Sequence, residues 1–198
     1  MADLITVQEY KNAEGIVNAK EDSRLAIIVP QVSDLAKKYC GTSFVDYYSS
    51  DKTETFSVND NFTSTIIVSE SPLVSVTSVK ERGTYDASYE TLATSDYEYY
   101  VDTAADAIVR TTKSGAKKAF PQGMGSVQIA YRAGYSAAPS DLKLALFDLV
   151  TYYLKDEHKE RRTIAGATLQ NQGTSGVRDN TDFPDHIKRV LDLYRVII

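Results

Sequence analysis

One cysteine, two histidines and no tryptophan leave this 198-residue chain short of the side chains that build zinc centres, thiol chemistry and imidazole relays. Cys40 alone cannot form an internal disulfide, which suits a reducing compartment or a particle assembled in one. A zinc site needs three or four soft ligands, and the residue types for it are too few. No uninterrupted apolar run reaches the length of a membrane-spanning helix. The opening Met1-Ala2-Asp3-Leu4-Ile5-Thr6 has neither a basic stretch nor an apolar one, so no secretory signal is expected. Positive charge is not in excess either: 22 Lys+Arg stand against 27 Asp+Glu, a net charge of −5, which argues against a protein that grips nucleic acid phosphates. What is present is ordinary globular composition, with 42% hydrophobic and 25% charged residues, in a length that fits one domain or one domain with a large insertion.

The composition is uneven along the chain. Residues 41–135 carry 8 basic and 12 acidic groups and 9 of the 14 tyrosines, so this middle part holds most of the net charge and has the makeup of β-sheet. Both flanks read as helix. Thr6 followed by Glu9 has capping-box spacing, which predicts a short helix ending before Gly15. From Asp22 onward Leu25, Ile28, Val29, Val32, Leu35, Ala36 and Tyr39 form a 3.6-residue stripe. Gly41 closes it in the C′ position, and Pro30 is expected to kink or split it. Between Phe44 and Tyr135 the period shortens. Expected strands are 54–58, 65–69, 74–82, 97–101, 107–112 and 126–132; in the last, Val127, Ile129 and Tyr131 share one face. Val74 and Val76 have a parity that Val79 breaks, which predicts a bulge or a twist between them in the third strand. Strands in succession with no helix between them predict an antiparallel sheet or small barrel.

Helical period returns after Gly134-Tyr135. Ser140 or Asp141 is expected to cap a helix carrying Leu142, Ala145, Leu146, Leu149, Val150 and Tyr153 and ending near Glu160. A polar, glycine-bearing stretch over 163–182 follows, longer than most loops in compact domains. Asp182 and Pro184 then introduce a helix with Ile187, Val190, Leu191 and Tyr194 on one face. The sequence closes on Val196-Ile197-Ile198.

Candidate catalytic groups do not converge. Asp156, Glu157 and His158 are adjacent, so on a helix they point about 100° apart and cannot meet at one proton or metal. His186, beside Asp185 at a helix start, is expected to be solvated. Gly123-Met124-Gly125 precedes a strand rather than a helix N-terminus and lacks the dipole of a phosphate loop. Cys40 near a helix end reads as a small buried hydrophobe, and Lys117-Lys118 and Arg161-Arg162 are isolated pairs. No catalytic, metal or cofactor site is expected.

The order of these parts resembles the phage head–tail connector family, the adaptor or head-completion proteins that bind beneath the portal ring. The residues that carry the resemblance run the whole length. They include Leu4-Ile5-Thr6 with Tyr10-Lys11, the helix to Tyr39-Cys40, Ser71-Pro72-Leu73-Val74 and Ser95-Asp96-Tyr97. Phe120-Pro121-Gln122-Gly123 then leads into Val127 to Gly134-Tyr135, and Pro139-Ser140-Asp141-Leu142 and Phe183-Pro184 to Leu191-Asp192-Leu193-Tyr194-Arg195 follow. The resemblance implies an α+β fold: a discontinuous helical bundle from 1–43 and 136–198, with 44–135 inserted as an antiparallel β-rich domain. Shorter members are nearly all helix, so that insertion departs from them.

It also implies a structural protein with no cofactor, assembled as a ring, usually dodecameric, in the virion neck. Its partners would be further copies of itself, the portal protein and another neck or tail component, with DNA passing through the channel. Arg161, Arg162, Tyr194, Arg195, Val196, Ile197 and Ile198 are the expected portal-binding residues. An alternative function is a carbohydrate- or ligand-binding β-module on a helical base, with Tyr97, Tyr99 and Tyr100 lining the site. Exposure of those tyrosines separates the two.

Overall fold

In the computed structural model, which describes residues 2–85, 87–94, 98–155 and 183–196, Thr6 begins helix α1, Val7–Ala13. The Thr6 hydroxyl accepts the Glu9 N–H at 3.1 Å while the Glu9 carboxylate accepts the Thr6 N–H at 2.8 Å. Two otherwise orphan donors are thus satisfied reciprocally, as the spacing predicts. Helix α2, Asp22–Cys40, runs through Pro30 as one assigned element and stops at Gly41, whose φ of +72° is the left-handed cap that glycine adopts without strain. Helix α3 is Ser140–Leu154 and helix α4 is Asp185–Asp192. Both lack a side-chain cap, and in each a proline occupies the N-cap position, Pro139 and Pro184 respectively. Capping by Ser140 or Asp141 is therefore corrected: Ser140 is already the first helical residue. The expected end near Glu160 moves to Leu154, and Asp182 lies outside the described residues.

The chain divides into two compact units, Met1–Thr42 with Ala138–Ile198 and Ser43–Ala137. The first holds the four helices. Leu25, Val29, Val32 and Ala36 of α2, Leu142, Leu146, Leu149 and Val150 of α3, and Ile187 and Leu191 of α4 are all buried. These are the stripes read from the sequence, and α2 packs on α3 and α4 as α3 packs on α4. Polar ties fix the short first helix. Tyr10 Oη lies 2.9 Å from Thr151 Oγ1, Lys11 reaches Asp22 at 2.7 Å, and Lys143 reaches Glu9 at 2.6 Å.

The second unit holds two antiparallel sheets. Strands β1 (Lys52–Val58), β7 (Gly123–Ala133), β3 (Leu73–Glu81) and β4 (Glu90–Thr91) lie in that spatial order. Strands β2 (Thr65–Ile67), β6 (Ala107–Arg110) and β5 (Tyr99–Asp102) form the other sheet. One core joins them. Val127, Ile129 and Tyr131 of β7 meet Val79 of β3, Ile66 of β2, Ile108 of β6 and Tyr99 of β5 there. The parity break in β3 is a real irregularity, with register shifts between Leu73 and Ser75 and between Val76 and Ser78.

Strand β2 ends at Ile67 rather than Ser69: the Val68 N–H still donates to the Asp106 carbonyl in register, but the Ser69 N–H turns to the Glu54 carboxylate. Strand β6 likewise ends at Arg110, and Thr111 only bridges to Lys117. Strand β5 begins at Tyr99, two residues later than expected. The two-residue β4 escapes sequence reading altogether, since it is too short to alternate.

Candidate functional site

The described part of the C-terminal segment is held on its own helical unit. Val196 N–H donates to the carbonyl of Cys40 at 2.9 Å, taking up an acceptor that the end of α2 leaves open. Tyr194 Oη donates to both carboxylate oxygens of Asp141, at 2.7 and 2.8 Å. That hydrogen bond is the main reason the Asp141 carboxyl lies below its ordinary range. Tyr39 donates to Asp192 at 2.5 Å, and the Arg195 guanidinium stacks 5.6 Å from the Tyr39 ring. Burial and the Asp192 carboxylate push the Tyr39 phenol up to about 12. Leu193, at 76% exposure, and Arg195 face outward from this knot. Of the expected portal-binding residues, Arg195 and Val196 thus meet the C-terminal end of α2 and Tyr194 the start of α3. Arg161, Arg162, Ile197 and Ile198 lie outside the described residues.

Among the described residues, the candidate catalytic groups do not converge. His186 is exposed and sits 3.9 Å from Asp148, while Asp156, Glu157 and His158 lie outside the described residues. Among the described residues, no group of three His, Cys, Asp or Glu side chains is placed to hold a metal ion. Cys40 is fully buried with its thiol directed at the Leu191 carbonyl, and burial raises its pKa to about 12, so it is not a thiolate at neutral pH. The tyrosines proposed for a ligand site part company. Tyr99 is buried in the sheet core, Tyr100 points the other way at 61% exposure, and Tyr97 lies outside the described residues. Alternation along one strand sends neighbours to opposite faces, so Tyr99 and Tyr100 cannot line one pocket.

The β unit carries two internal charge clusters that sequence reading missed. Lys52 and Glu54 alternate onto the inward face of β1, where the Lys52 ammonium reaches Glu54 at 2.8 Å and Glu70 at 3.1 Å. Burial opposes the charge on Lys52, but the bonds to the two carboxylates outweigh it and hold its pKa at about 12. Burial pulls Glu54 upward as well, and the bonds from Lys52 and Ser69 overcome it, leaving the carboxyl below its ordinary value. Arg110 on β6 is 3% exposed and grips Glu81 on β3 with two bonds of 3.0 and 2.9 Å, joining one sheet to the other. On the surface, the Arg82 guanidinium is sandwiched 4.7 Å from Tyr85 and 4.8 Å from Tyr89, and it donates to the Gly125, Met124 and Tyr85 carbonyls. These groups are matched inside the unit.

The helical unit, by contrast, has an open apolar groove of about 570 Å³ along α2. Arg24, Ile27, Ile28, Gln31, Val32 and Leu35 line it, with Tyr153 of α3 closing one side. Ile27 is 61% exposed. Leu144 of α3 is similarly exposed, at 64%. Neither belongs to the stripe of its helix, and an apolar residue off the stripe was the signal available in the sequence.

Comparison with known proteins agrees with the family read from the residues. The model of the head completion protein family matches residues 3–197. The head completion protein of Escherichia phage T5 is 34% identical over 76 residues, which is 38% of this chain and 41% of that protein, so the match spans less than half of the relative. A protein in the neck of an empty gene transfer agent particle, computed with C6 symmetry, superposes with a TM-score of 0.58 at 16% identity, covering 98% of this chain and 91% of that one. One in the neck of the native particle, computed with C12 symmetry, gives a TM-score of 0.55 at 15% identity, over 100% of this chain and 95% of that one. At such identities the fold alone is shared. Nearly complete coverage means that the likeness takes in both the helical and the β-rich parts of this chain.

Proposed function

This chain belongs to the head completion protein family, and on that premise we propose that it is a structural component of a tailed-phage neck. In this reading it forms a homo-oligomeric ring, with a dodecamer as the expected count. The ring binds beneath the portal protein and joins the DNA-filled head to the next neck or tail component. The observation that carries it is the family match over residues 3–197, the helical and β-rich units together. A fold shared end to end with proteins from particle necks computed with C6 and C12 symmetry supports the ring.

Physical features fit the role. A ring is built from one heterologous contact repeated, so each copy needs two different complementary faces. A net charge of −5 lets DNA pass without adhering. The helical parts, 1–43 and 136–198, are the connector-type bundle in this proposal, and 44–135 is an inserted domain with its own core. Portal contact is assigned to Arg161, Arg162 and the run Tyr194, Arg195, Val196, Ile197 and Ile198, supported by the outward-facing Leu193 and Arg195 beside that run.

Mass measurement of the protein with and without isolated portal rings tests the proposal. A stable increment of several copies per portal is expected. Persistence as a monomer alongside unchanged portal rings overturns it.

A further inference from the structure

We infer that the groove on α2 is the receiving face of the contact between successive copies in the ring, and that Leu144 of the next copy fills it; this rests on the ring reading above. The groove has the character of an acceptor: Ile27, Ile28, Leu35 and Tyr153 give it an apolar floor and wall, and Arg24 stands on its rim. The donor face has the matching character. Leu144 protrudes from α3 with Asp148 one turn further on, also solvent-facing. An apolar knob beside an acid therefore faces an apolar groove beside a base.

The two faces are also disposed as a head-to-tail contact requires. Leu144 precedes Tyr153 by nine residues, about two and a half turns at 3.6 residues per turn, so the two side chains leave α3 on opposite sides. On α2, Ile27 lies away from the buried stripe of Leu25, Val29, Val32 and Ala36 that packs in the core. Knob and groove thus sit on outward faces of two different helices and cannot satisfy each other within one copy. A patch and its complement at separate places on one subunit can pair head to tail, copy after copy, which is the contact a ring needs.

Three sets of variants of the whole 198-residue chain, each assembled with portal rings, test this. Ile27→Asp and Leu144→Asp change exposed positions, so each is expected to keep the wild-type melting temperature while losing most of the ring. Arg24→Asp and Asp148→Arg are each expected to weaken assembly several-fold, and the double reversal to restore it. Cysteines placed together at 27 and 144 are expected to give, under mild oxidation, a ladder of covalent dimers, trimers and higher species. Either cysteine alone gives none, since Cys40 is buried and unreactive. Rings that form normally from Ile27→Asp, with no ladder from the cysteine pair, overturn the interface and leave the ring reading standing. Wild-type protein that never forms rings overturns both.

Discussion

At residue scale the most constrained of the described glycines is Gly134. Its φ is +99°, and a methyl group there would lie 2.1 Å from the carbonyl oxygen of Phe44, an atom that already accepts the Tyr135 N–H at 2.7 Å. Backbone is in the way, so relief would require moving the chain. Gly134→Ala is therefore expected to destabilise by about 3 kcal/mol, a fall in melting temperature of roughly 6–12 °C for a chain this size. Gly115→Ala makes the control: φ is +80° but open space surrounds the site, so only the left-handed strain of about 1 kcal/mol remains. Equal melting temperatures for the two variants would refute the argument.

A second residue-scale prediction concerns alkali. Burial pushes the Tyr131 phenol up to about 12 from its ordinary 10.0, and Lys52 is held at about 12 against an ordinary 10.5. Both folded values exceed the unfolded ones, so this stability is complete below about pH 10 and disappears as the pH rises through 12. Melting temperature should fall across that window, less steeply in Tyr131→Phe, and a flat profile would contradict it. The sequence pattern puts Tyr131 on one face with Val127 and Ile129, but its partners Glu54, Ser69 and Glu70 come from strand register, which one strand's pattern does not contain.

At element scale, legibility followed period length. Helix α2 was readable from Asp22 to Cys40 because five turns of stripe ending in Gly41 leave little freedom. The irregularity in β3 was readable because a parity break demands a bulge or a twist, and the register shifts there. What escaped was long-range or short. β4 has two residues, and β2 ends where the Ser69 N–H turns from the ladder to Glu54. The link between the sheets was hidden for the same reason, since Arg110 and Glu81 are 29 residues apart. Arg110→Met strips a 3%-exposed guanidinium from Glu81 and leaves a largely buried carboxylate unpaired. The expected cost is about 3–5 kcal/mol, and the double variant Arg110→Met with Glu81→Leu should recover much of it, because no charge is then stranded. Chemical denaturation of the three proteins reads this directly. A double variant no more stable than Arg110→Met alone would mean that the arginine acts by packing and by its bonds to the Glu98 and Thr111 carbonyls.

At the scale of the whole molecule, the family was legible where the surfaces were not. Order and spacing of elements survive as a pattern along the chain, whereas an interface is a property of faces that only three dimensions assemble. The C-terminal segment makes the point. Three apolar β-branched residues in succession suggest an anchor, yet Val196 is bonded to the end of α2 and Tyr194 to the start of α3. Those bonds and a portal contact are compatible only if the segment docks with Tyr194 and Val196 kept inward and Leu193 and Arg195 presented outward. Deleting 196–198 tests this arrangement. The deletion removes the Val196 bond to Cys40, one exposed-end hydrogen bond of about 1 kcal/mol, and so should lower the melting temperature by only a few degrees. If the segment is the portal anchor, the same deletion should abolish attachment to portal rings, since a small loss per copy multiplies around a ring. Arg195→Glu should weaken attachment with no change in melting temperature. A truncated protein that still joins portal rings at wild-type affinity would move the anchor elsewhere. Portal attachment lost only in step with unfolding would reduce the segment to a clasp on its own helices.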